Sequence, residues 1–186
     1  MKSISNIFSS IEFGLLKSLI GQEFKFVGGP EAPDFLISDI FVLACSKSSM
    51  VVSGSIVEIP DIEDFDDFSK MSVEEASADI LAATLKSGNM FLLNRRSEIT
   101  GVSLVRETLV HEESGSPKWV FTSDVGLIVH LVGGDIVMRM VSLSVEAIAV
   151  KFVKHFTIEE FEEPSSIFEN ELINSYTAKL DLIPIA

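Results

Sequence analysis

Gly133-Gly134 stands between two apolar runs, Gly126–Leu131 and Ile136–Ser142, and limits the fold more tightly than any other feature of the chain. Paired glycines between strand-like runs predict a tight hairpin, because such turns need positive φ values that glycine takes up without a steric cost. Neither neighbourhood is long enough to span a membrane. The most apolar stretches, 125–134 and 140–150, are interrupted by His130 and Glu146, and both fall short of the roughly 18–20 residues that a spanning helix needs. These side chains must be buried by strand pairing instead.

The same reading extends along the chain. Met90–Leu93, Val102–His111, Trp119–Thr122 and Val145–Phe156 have the composition of strands, and Glu113-Ser114-Gly115-Ser116-Pro117 that of a turn. Residues 35–46 and 50–59, separated by Lys47-Ser48-Ser49, predict another hairpin, and Glu23–Val27 alternates as a short strand should. Two segments read as helices. Residues 4–20 place their Ile, Leu and Phe near one face; the helix starts at Ser3 or at Ser9, which forms a capping box with Glu12, and Gly21 stops it. Ser72-Val73-Glu74-Glu75 is a second capping box and predicts a central helix of about 73–86, with Ala76, Ile80, Leu81, Thr84 and Leu85 buried and Gly88 at its end. The tail, 172–186, has enough Leu and Ile to dock. The expected fold class is α+β: mainly antiparallel β-sheet with an N-terminal helix and a central helix, in a single domain of residues 1–186. With 47% apolar residues and 14 Phe, the chain can fill a sizeable core.

Charge is distributed very differently from hydropathy. Residues 62–68 read I-E-D-F-D-D-F and residues 158–164 read I-E-E-F-E-E-P. Segment 58–79 holds nine acids against Lys70 alone, and segment 158–171 holds six acids and no base. Together they account for the entire formal net charge of −14, leaving thirteen acids and thirteen bases elsewhere. Carboxylates gathered in this way form a surface suited to a basic partner and unsuited to nucleic acid or an anionic membrane. The Phe residues inside the charge have two readings: inward-facing on a helix, or exposed anchors in an open loop.

Chemistry is sparse. Cys45 lies in an apolar run and allows no internal disulfide; with no secretory apolar core at the N-terminus, the expected location is cytoplasmic. His111, His130 and His155 have no metal-binding spacing, and the glycine-framed elbow of nucleophilic hydrolases is absent. His130, between Val129 and Leu131, is expected to point to the sheet face opposite theirs. The acids around Asp61–Asp67 lack the spacing and the central glycine of a calcium loop. Gly28-Gly29 and Gly133-Gly134 lack the Lys and Ser/Thr of a phosphate loop, and Arg95-Arg96 reads as the face of a turn. No cofactor, no metal and no enzymatic activity are expected.

In this profile the chain resembles the immunity proteins of bacterial toxin systems, including those of contact-dependent growth inhibition. The stretches that carry the resemblance are Asp61-Ile62-Glu63-Asp64-Phe65-Asp66-Asp67 and Glu159-Glu160-Phe161-Glu162-Glu163, set on an α+β body. The resemblance implies a protein that neutralises a basic toxin, a nuclease for instance, by occluding its phosphate-binding surface. The charge pattern places the partner-binding residues at Asp61, Glu63, Asp64, Phe65, Asp66, Asp67, Glu159, Glu160, Phe161, Glu162 and Glu163. Two other classes make different predictions. An adaptor, chaperone or structural subunit would bind through a sheet edge or apolar patch, and an enzyme with a divergent carboxylate site would converge two acids in a deep pocket.

Overall fold

The computed structural model describes residues 2–30, 37–58, 67–142, 145–161 and 176–186. The short strand β1 (Lys2–Asn6) leads into helix α1 (Ser10–Ser18), and strands β2 (Glu23–Gly28), β3 (Ile37–Ser38), β4 (Ile40–Cys45), β5 (Ser49–Glu58) and β6 (Asp67–Glu75) follow. Helix α2 (Ala78–Ser87) precedes the long strands β7 (Met90–Glu113) and β8 (Ser116–Leu131), then β9 (Gly134–Ser142), β10 (Val145–Val153), a 3₁₀ turn (Ile158–Glu160) and β11 (Tyr176–Ile185). Among the described residues antiparallel sheet thus dominates, accompanied by two α-helices.

Strand order is β3-β10-β9-β8-β7-β2-β4-β5-β6, with β11 beside β7 and β1 parallel to β8. The sheet curls until its ends meet. Gly54 on β5 donates its N–H to Asp39 O at 2.8 Å, and Ser69 on β6 donates its hydroxyl to Val145 O at 2.7 Å. Gly54 is required at this seam, because a Cβ there would strike the backbone carbonyl of Glu146. The interior so enclosed is lined by alternate residues of nearly every strand, among them Phe41, Val102, Leu127 and Met138, and α1 adds Leu16 and Leu19. A second cluster covers the outer face of β7, β8 and β9, and a third packs α2 against β2, β4 and β5.

Both hairpins expected from the sequence form: β4 pairs with β5, and β8 with β9 across Val132-Gly133. Ser114 and Gly115, both at positive φ, make the two-residue turn from β7 into β8. Ser9 is the true N-cap of α1 and closes a complete capping box with Glu12, while Ile4 lies in a strand instead of on the helix. Glu12 does a second job: its other carboxylate oxygen accepts from Val73 N at 3.1 Å, and Asn6 Nδ2 donates to Ser69 O at 3.2 Å. These side chains satisfy polar groups on the outer edge of β6 and blunt it against further pairing.

Four expectations need correction. The box at Ser72 starts no helix; residues 67–75 form β6, whose Met71 and Val73 face the interior, and the cap is Ser77, five residues later. Leu85, expected inside, is 51% exposed, and α2 is held by Ile80 and Leu81 instead. Met90–Leu93 and Val102–His111 are one strand, as are Trp119–Thr122 and Gly126–Leu131. Arg95-Arg96 is therefore no turn. It lies where β7 bulges against β2: Phe24 pairs with Ser97 and Phe26 with Leu92, so five steps on β7 face two on β2.

Candidate functional site

The two acidic stretches are joined to the body by aromatic side chains. Phe68, which closes the first, is 1% exposed and packs at a tilt against Phe121 with ring centroids 4.3 Å apart. Phe161, inside the second, is 6% exposed and meets Phe156 edge-on. Phe68, Phe121, Phe156 and Phe161 all belong to the one cluster on the outer face of β7, β8 and β9. Gly126 makes this possible for Phe161, since a Cβ there would lie 2.6 Å from the Phe161 ring. Phe161 is therefore an internal anchor and not an exposed partner contact, which corrects its expected role.

Glu159 and Glu160 form an exposed 3₁₀ turn directly before that anchor. Asp67 is the first residue of β6 and stands opposite Glu58 in the backbone register. Asp61, Glu63, Asp64, Phe65, Asp66, Glu162 and Glu163 lie outside the described residues.

A second arrangement was not foreseen in the sequence. His130 on β8 turns away from Val129 and Leu131, as expected, and enters a polar ladder across three strands. His130 Nδ1 lies 2.9 Å from Asp135 Oδ1 on β9, and His130 Nε2 lies 2.9 Å from Ser103 Oγ on β7. Asp135 Oδ2 accepts the backbone N–H of Phe156 at 2.7 Å, which ties the ladder to the segment carrying the second acidic stretch. A carboxylate at Nδ1 can only accept, so in the neutral ring the proton sits on Nδ1 and Nε2 is the acceptor for the Ser103 hydroxyl. The register explains the assembly. His130 pairs with Asp135 across the hairpin, and its ring lies over Gly101, the residue opposite it on β7, to reach Ser103 two residues on.

Other candidates resolve as structural. A shallow open cleft of about 400 Å³ is lined by Glu23, Arg96, Glu98 and neighbouring small residues. Within it the Glu23 carboxylate is paired with Lys25 at 3.0 Å and Arg96 at 3.4 Å. Cys45 is buried, and burial pushes its thiol up to about 12. His111 stacks on Tyr176 and tilts against Trp119. Among the described residues no group of three or more His, Cys, Asp or Glu could hold a metal ion, and no helix is long and apolar enough to cross a membrane. Comparison with known proteins returns no match among family profiles, curated proteins or solved structures.

Proposed function

We propose that this chain is a cytoplasmic immunity-type protein that binds a basic protein toxin, a nuclease in the first instance, and neutralises it by covering its phosphate-binding surface with carboxylates. One observation carries the reading: the two stretches that hold the whole net charge are both rooted in one aromatic cluster, through Phe68 and Phe161. Acids that leave the body from one region act together on a partner, and their summed field raises the encounter rate and rejects acidic competitors. Phe68 and Phe161 face inward, so the contact relies on charge and on residues other than these two.

The test is capture of the tagged chain's partner from its native host at low salt, followed by stepwise elution. A basic protein that elutes as salt rises, kills cells when expressed alone and spares them when co-expressed with this chain supports the reading. A partner that resists salt supports docking through a sheet edge instead, and a partner that is harmless alone removes the neutralising role.

A further inference from the structure

We propose that Ser103, His130 and Asp135 form a nucleophilic acyl-transfer site for small, unhindered carboxylic esters, independent of the acidic surface. Ser103 Oγ is within hydrogen-bond reach of a ring nitrogen that accepts in the neutral ring, and the opposite nitrogen is held by a carboxylate. Asp135 is itself fixed by the Phe156 N–H and has only 9% of its side chain exposed, which keeps it aimed at the ring. His130 keeps 29% of its side chain exposed, so a proton can pass between the ring and solvent.

Access decides the substrate class. Ser103 is only 4% exposed, which excludes bulky acyl groups. The open space nearest the relay is beside Gly101, where a Cβ would touch nothing within 4 Å but the His130 side chain, at 3.5 Å and beyond, and we place the substrate's approach there. In the first step Ser103 Oγ bonds to the ester carbonyl carbon as its proton moves to His130 Nε2. The ester C–O bond then breaks, and the leaving oxygen takes that proton. Water attacks the acyl-serine in the second step, giving a proton to Nε2 that returns to Ser103 as the carboxylic acid departs. Ser103 lies in a strand paired with both β8 and β11, so its backbone N–H is committed to the ladder and does not serve as an oxyanion donor. Acylation is therefore expected to outrun turnover, and the covalent adduct is the quantity to measure.

The experiment treats the full chain with p-nitrophenyl acetate and, separately, with a small fluorophosphonate probe, reading p-nitrophenolate release, intact mass and the modified peptide. A burst of about one equivalent with the adduct on Ser103 is expected. Ser103→Ala should abolish it, and His130→Gln should slow it on the order of 100-fold or more. Asp135→Asn should slow it while changing the pH profile, as a positioning residue for the ring would. Gly101→Ala is the second variant. Its Cβ stands in ordinary contact, 3.5 Å from His130 Cδ2, so the chain folds and the relay remains, and labelling by the bulkier fluorophosphonate should fall more than that by p-nitrophenyl acetate. An unlabelled wild-type chain, or an adduct that persists in Ser103→Ala, overturns the proposal. Variants that lower the melting temperature while the wild type stays unreactive would show a ladder that only braces strands, and that too overturns it.

Discussion

Asp124 is buried with none of its side chain exposed, yet both carboxylate oxygens are engaged. Arg106 reaches it through Nε at 2.8 Å and a terminal nitrogen at 3.1 Å, and Phe8 donates its backbone N–H at 2.8 Å. That one side chain joins β7 to β8 and fastens the segment between β1 and α1. Asp124→Ala would leave the guanidinium, 22% exposed, and the Phe8 N–H without their acceptor. We expect a loss of about 3–5 kcal/mol, measured by urea unfolding, with enhanced amide exchange concentrated in residues 2–18. Cys45 supplies a test with a pH sign. Its folded-state thiol ionises near 12 against an ordinary 9, so the unfolded chain releases its proton first as pH rises. The contribution is intact below about 9 and declines as pH climbs from there towards 12. Cys45→Ala should flatten that alkaline decline, and Cys45 in the native chain should react with a disulfide reagent at pH 8 only at the rate of unfolding.

At the level of elements, Gly126 is the hinge between fold and proposed surface. A methyl group there meets the Phe161 ring at 2.6–2.7 Å and Val105 Cβ at 3.1 Å, so the ring must give way. Gly126→Ala should cost about 1–3 kcal/mol and release the segment that holds Glu159 and Glu160, without changing any charge. Partner affinity should then fall even at pH and salt where the wild type is saturated; unaltered affinity would exclude the second stretch from the contact. The same elements explain what a reader of the sequence can and cannot see. The hairpins at Lys47-Ser48-Ser49 and Gly133-Gly134 were legible because turn residues and flanking apolar runs agree. Ser72 misled because Ser-Val-Glu-Glu satisfies a cap locally, while Met71 and Val73 alternate with Ser72 and Glu74, and the β5 edge offers a ladder that outweighs helix propensity. His130's orientation followed from its neighbours. Asp135 could have been placed across the hairpin once its register was known, but Ser103 depends on the pairing of β7 with β8 and on a register shift between Ile99 and Gly101 that no local pattern encodes. Phe161 was ambiguous for a related reason: its burial depends on a glycine 35 residues earlier.

For the whole molecule the question is whether total charge or its placement governs association. A net charge of −14 attracts any basic protein at low salt, so weak binding alone says nothing about a surface. Two triple variants with equal net charge separate the cases. Asp64, Asp66 and Asp67 changed to Lys reverse charge within the first stretch. Glu98, Glu112 and Asp181, solvent-accessible acids on β7 and β11 and away from the β5–β6 seam, changed to Lys remove the same amount elsewhere. If placement governs, the first variant should slow association with the captured basic partner on the order of 10–100-fold at low ionic strength and should flatten its salt dependence, while the second stays close to wild type. Stopped-flow association rates at two salt concentrations decide between them. Equal slowing in both variants would mean that the partner responds to overall charge, and the contact face would have to be sought away from the acidic stretches. Since the three reversed aspartates precede Phe68 and leave that buried anchor untouched, the fold should survive the first variant, with a melting temperature close to that of the wild type.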